Sequence, residues 1–122
     1  MIVRATASPN RTDAQLRFIR LMLRALEPFF SIRTAMPARC VQAFLLVAEK
    51  EGLSVDDYAR KADMSPTTMS RNLLDLGERD RKGDEGAGLV QGEDNIFDRR
   101  QKVYSLTPKG RALLAALTAP VQ

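Results

Sequence analysis

The sequence predicts a mainly α (α+β) domain in which helices build one core and a two-stranded β-hairpin projects from it. Three observations carry this. Apolar residues recur at helical spacing behind plausible caps in several segments. Two short helical segments are separated by only three residues, Asp63, Met64 and Ser65. Two strand-like segments, 88–93 and 101–106, flank a basic turn. A chain of 122 residues fits a single domain, and 44% hydrophobic residues argue against disorder.

Residues 1–11, broken by Pro9 and Asn10, read as an arm. Thr12 and Gln15 have the spacing of a capping box. Behind them Leu16, Ile19, Met22, Leu23, Leu26 and Phe30 fall on one face of a helix that should end near 28–31, with Phe18 and Phe29 at the edge of the stripe and Arg17, Arg20 and Arg24 opposite. After a connector, Pro37 suits the first turn of a second helix. Cys40, Val41, Phe44, Leu45 and Ala48 form its stripe, and Gly52 suits a stop near Glu51. Ser54 then caps a helix with Asp56 and Asp57 in its first turn, and Val55, Tyr58, Ala59 and Ala62 face inward. Ser65 caps the next, with Pro66 at its start, Met69, Leu73 and Leu76 inside, and Gly77 at its end. Residues 78–87 are charged and aperiodic and read as a flexible loop. Beyond the hairpin, Thr107 and Pro108 open a last helix filled by Ala112, Leu113, Leu114 and Leu117.

Charge is unevenly spread. Residues 1–40 sum to +5, residues 41–98 to −6 and residues 99–122 to +5, for a net +4. Basic ends suggest an anionic partner held from two places. The chain has no His and one Cys, which removes the commonest general base, an intrachain disulfide and a Cys-rich zinc site. There is no P-loop and no Gly-rich dinucleotide motif. An enzyme is not expected, nor is a cofactor or a metal. No segment has bilayer-spanning length and the start has no signal-peptide core, so no membrane partner and a cytoplasmic location are expected.

Two short helices around a three-residue turn, the second slim and polar outside, form the helix-turn-helix pattern. A helix that enters the major groove needs small hydrogen-bonding side chains outward. Ser65, Thr67, Thr68, Ser70 and Arg71 supply them, and Arg99, Arg100 and Lys102 at the hairpin suit a minor groove, where the potential is most negative. A helix-turn-helix followed by a hairpin is a winged helix.

The stretch 36–117 resembles the MarR family of transcriptional regulators through LSVDDYARKADMSPTTMSRNLLDL, the GLV at 88–90 and DRRQKVYSLTPKGRALL. The resemblance implies a homodimeric repressor that binds a palindromic site on double-stranded DNA, with helix 65–76 in the major groove and wing 94–102 in the minor groove. Residues 1–30 would form an arm and dimerisation helix, using Phe18, Ile19, Met22, Leu23, Leu26 and Phe30. Residues 31–122 would form the DNA-binding winged helix, compact with the first part. Two features depart from the family: loop 78–87 is longer, and the chain ends soon after Leu117, which shifts dimerisation toward the first helix. Segment 54–77 is itself not basic, so Arg4, Arg11, Arg17, Arg20, Arg24, Lys109 and Arg111, with the wing, must meet the phosphates. Asp75 is expected to brace Arg71 one turn earlier. Cys40 falls on a buried stripe without a basic neighbour, where a thiol is inert, and no effector pocket is marked. The competing reading is a winged-helix module that binds protein, favoured by the acidic middle and loop 78–87. Salt separates the two, since phosphate contacts weaken steeply with ionic strength.

Overall fold

A computed structural model describes residues 10–33, 35–79, 82–98 and 100–119. In order the elements are α1 (Asp13–Ile32), α2 (Ala38–Glu49), β1 (Leu53–Ser54), α3 (Val55–Ala62), α4 (Pro66–Leu76), β2 (Val90–Asp94), β3 (Lys102–Leu106) and α5 (Pro108–Thr118). The core joins Phe44 and Val47 of α2, Tyr58 of α3, Met69, Leu73 and Leu76 of α4, and Leu89, Val90 and Leu106 around the sheet, all buried.

The capping box at α1 forms as its spacing requires: Gln15 N donates to Thr12 Oγ1 at 3.0 Å and Thr12 N to Gln15 Oε1 at 2.9 Å. The helix runs to Ile32 and passes through Pro28, beyond the expected end. A proline inside a helix cannot donate to the preceding turn. Tertiary packing outweighs that loss here, because Phe29 is buried edge-on against Phe44 with ring centroids 5.8 Å apart. Phe29 is therefore the anchor of α1, not the margin of its stripe.

Pro37 sits at the N-cap of α2, one residue earlier than expected, and its carbonyl accepts from Cys40 N (2.9 Å) and Val41 N (3.2 Å). The helix stops at Glu49, before the predicted end. Gly52 serves a turn into β1: its φ of +89° suits glycine, and its N–H donates to Tyr104 O at 2.7 Å. That bond starts a third strand which the sequence reading did not contain. The sheet order is β1-β3-β2, all antiparallel, with Leu53 opposite Tyr104 and Val90 opposite Leu106. Past the short β1, the Leu106 N–H is taken by Glu51 Oε1 at 2.7 Å, and Arg111 of α5 grips the same carboxylate at 2.9 Å.

Residues 78–87 do not behave as one free loop. Arg79 and Glu85 form an antiparallel bridge, and Ala87 is buried. The returning limb donates from Ala87 N to Asp75 O (3.0 Å), Gly88 N to Gly77 O (2.8 Å) and Leu89 N to Leu76 O (2.7 Å). Carbonyls at a helix C-terminus lack partners within the helix, so the limb closes the end of α4. Arg33 Nη2 adds a bond to Glu85 O at 2.9 Å. Asp80 and Arg81 lie outside the described residues.

The start of α5 is locked in the same way. Thr107 Oγ1 accepts from Gly110 N at 3.0 Å and donates to Gly88 O at 2.6 Å. Gly110 is buried where a Cβ would lie 2.1 Å from the Leu89 carbonyl oxygen. Gly110→Ala should therefore separate α5 from the β2 approach and destabilise the fold by about 1–3 kcal/mol. Urea denaturation checks this; an unchanged midpoint would contradict the packing described.

Candidate nucleic-acid interface

The helix-turn-helix is held by caps at both of its helices. Ser54 and Asp57 form a reciprocal box at α3, with Asp57 N on Ser54 Oγ (3.3 Å) and Ser54 N on Asp57 Oδ2 (3.2 Å). The bond donated by the Ser54 backbone, then that from the Ser54 hydroxyl, hold the Asp57 carboxyl below its ordinary value; burial opposes them, and the charges of Arg60 and Lys61 add lesser pulls in the same direction as the bonds. Tyr58 anchors the same helix: its hydroxyl donates to Lys50 O at 2.7 Å, and burial pushes its pKa up. Asp63 turns the chain in the left-handed region (φ 52°), and Met64 N returns to Ala59 O at 3.0 Å.

Ser65 then caps α4. Its hydroxyl accepts from Thr68 N (3.1 Å) and donates to Thr68 Oγ1 (2.9 Å), while the residue, expected on the reading face, stays exposed with one acceptor lone pair open. Thr68 Oγ1 is thereby an acceptor whose own proton is left for an outside partner. At about 100° per residue, Thr67, Arg71 and Leu74 centre the face opposite Met69, Leu73 and Leu76. Thr67, Thr68, Arg71 and Leu74 are exposed, and Ser70 is half-buried at the edge. The expected brace does not form: among the described residues Arg71 makes no ion pair. Asp75 is half-buried and turned the other way, lining a cleft of 350 Å³ with Arg33, Met36, Cys40 and Lys82. Its side is claimed by the limb that closes α4.

At the wing, Arg100 Nε pairs with Asp98 Oδ1 at 3.1 Å and Lys102 Nζ with Asp94 Oδ1 at 3.5 Å. Both basic side chains remain exposed enough to exchange these partners. Arg99 lies outside the described residues, as does Arg4. Arg100 and Lys102 also line a small cleft with Ser54, Val55 and Asp56, which sets the wing base beside the start of α3. Arg111, counted among the phosphate-facing cations, is held by Glu51 and serves the sheet. Charge counting passed over Ile96 and Phe97, which stand 84% and 91% exposed at the hairpin tip; the signal was an apolar pair inside a turn segment.

The apolar stripe of α1 is outward. Phe18, Ile19, Met22, Leu23, Leu26 and Phe30 are all exposed, while Leu21, Ala25, Pro28, Phe29 and Ile32 turn to the core side. Cys40 is buried as expected, and its thiol donates to Asn72 Oδ1 at 3.7 Å. Among the described residues no group of three or more His, Cys, Asp or Glu is placed to hold a metal ion, and no helix is long and apolar enough to cross a membrane.

No protein-family model matches the chain, and no curated protein matches it. Solved structures do. A MarR family transcription regulator superposes with a TM-score of 0.61 at 20% identity, over 90% of this chain and 65% of its own. The transcriptional repressor CouR, bound to a 23-mer DNA duplex, gives 0.60 at 22% identity over 88% of this chain and 69% of that one. A MepR point mutant from S. aureus, bound to an oligodeoxyribonucleotide, gives 0.62 at 23% identity over 92% and 78%. The chain has the MarR winged-helix fold.

Within that fold the chain spans just under two thirds of the first regulator's length. The MarR-like core thus holds α4, the wing and α1 on one frame, and the Ser54–Asp57 box is the joint between sheet and helix-turn-helix. Because the Asp57 carboxyl titrates lower when folded, its contribution is complete above the ordinary aspartate value of 3.8 and is lost as pH falls through the lowered folded value. Asp57→Asn should lower the melting temperature at neutral pH, and the gap from the unaltered protein should close in acid. Thermal melts across pH check the sign; a gap that widens in acid would contradict the box.

Proposed function

We propose that this protein is a dimeric, sequence-specific regulator of transcription that binds double-stranded DNA, acting as a repressor at a palindromic operator. The observation that carries the reading is the outward face of α4. Thr67, Thr68 and Arg71 are exposed there on a helix whose opposite face is locked into the core. Slim hydroxyls suit close approach to base edges, a Thr methyl suits a thymine methyl, and a guanidinium with no ion-pair partner among the described residues is available to fork onto a guanine. Ser70 borders that face. Ser65 contributes by fixing the helix start.

The wing supplies the second contact, with Arg100 and Lys102, and with Arg99 by its place in the sequence. The MepR and CouR structures hold DNA on the same fold, which supports this reading. Arg17, Arg20, Arg24 and Lys109 are exposed and available for phosphates.

A second copy of the chain accounts for the exposed stripe Phe18, Ile19, Met22, Leu23, Leu26 and Phe30. Six large apolar side chains on one helix face leave an area that burial against a partner removes from water. A two-fold pair presents two α4 helices, and such pairs read half-sites about 34–36 Å apart.

Arg71→Ala should cost about 1–3 kcal/mol at a duplex recovered by selection from random sequence and relax one base preference. Titrations against that duplex and a scrambled one measure it; equal losses on both would contradict base reading. Replacing Met22 and Leu26 by serine should shift the sedimenting species toward monomer. A pair that persists would place the interface elsewhere.

A further inference from the structure

We infer that Phe97, with Ile96 beside it, is an apolar wedge that enters the minor groove at the wing and opens a base step; this rests on the DNA-binding reading above. The pair is 91% and 84% exposed, far from the apolar stripe of α1 in sequence and carried on a different element. Its presentation is fixed. Asn95 N donates to Gln101 O at 3.0 Å, closing the turn, and Asp98 N to Asn95 O at 3.2 Å. The Phe97 N–H is bound to Asn95 Oδ1 at 2.9 Å and Gln101 N to Asp98 O at 3.0 Å. A turn tied at four points holds its two apolar side chains outward.

The surroundings choose the occupant. Between Asp94 and Lys102 there are three basic and two acidic residues, and each acid is ion-paired with a base of the same hairpin. The tip therefore presents no unpaired carboxylate to a polyanion, while Arg100, held on Asp98 through Nε and exposed, keeps its remaining guanidinium N–H groups for a phosphate. Two side chains at the end of a finger fall far short of the roughly 800 Å² per partner that a stable protein contact buries. They match the apolar wedges that minor-groove proteins insert between base pairs. Pyrimidine–purine steps unstack most easily, so a T–A step is the expected seat.

The chain contains no tryptophan, so Phe97→Trp creates a single indole reporter on an exposed position where folding is not at stake. The probe is a fluorescein-labelled duplex of alternating T–A steps. Anisotropy of the label reports binding, and acrylamide quenching of the indole reports where the tip goes. On saturation with duplex the indole should be shielded, with quenching reduced several-fold. The unaltered protein should bend permuted fragments in gel mobility, and Phe97→Ser should abolish that bend and weaken binding by about tenfold. Binding by anisotropy with unchanged indole quenching overturns the wedge and leaves the DNA-binding reading standing. No binding by anisotropy even in dilute salt overturns the DNA reading, and the wedge with it.

Discussion

The constraint on which the structure depends is the seating of α4. Met69, Leu73 and Leu76 are buried on one side, and Ala87, Gly88 and Leu89 close the carbonyls of its last turn from the other end. Ser65 fixes its start. A helix of eleven residues would be marginal in water by itself. Held at its start, its end and along one face, it has one rotational setting, and that setting decides which side chains look outward. The hydrogen bonds at its C-terminus come from the segment that leads directly into β2, so the same residues that lock α4 also aim the wing.

The acidic middle of the sequence finds its explanation in these joints. Asp57 caps α3, Glu51 takes the last N–H of β3 and holds Arg111, and Asp94 and Asp98 pair with Lys102 and Arg100. Asp75 is drawn against the closing limb. Carboxylates that a charge count sets against a polyanionic partner are thus spent on caps and ion pairs. None of those named is on the centre of the α4 outward face, where Thr67, Arg71 and Leu74 stand.

Much of this was legible because local chemistry dictates it. A hydroxyl at an N-cap followed by proline at the first helical position, as at Ser65–Pro66 and Thr107–Pro108, marks a helix start from the sequence alone, and both begin where expected. Helical periodicity identified Met69, Leu73 and Leu76 as the inner face, and thereby Thr67, Thr68 and Arg71 as the outer one. What stayed hidden depended on distant partners. β1 has only two residues and exists because Tyr104 and Val103 are there to receive it. The closing limb carries no periodicity, since its role is to satisfy backbone groups of another element. At Ser65 the sequence shows a capping hydroxyl but not that its proton goes to Thr68 Oγ1, a partner that only the folded turn places within reach. On α1 two apolar stripes lie side by side, and spacing alone does not say which one meets the core; Phe44, in another helix, decides in favour of Phe29.

That decision has a mechanical consequence. Phe29 ties α1 to α2 edge-on, α2 packs on α4, where the Cys40 thiol meets Asn72, and α5 packs back on α1. Interiors this closely packed transmit displacement without absorbing it. The outward stripe of α1 and the outward face of α4 are therefore fixed relative to each other through a short run of buried side chains. Were two copies to pair along α1, as proposed, the separation and tilt of their two α4 helices would follow from that run of buried side chains. Spacing of half-sites on a duplex would then be a property of the Phe29–Phe44 contact as much as of any residue that touches a base.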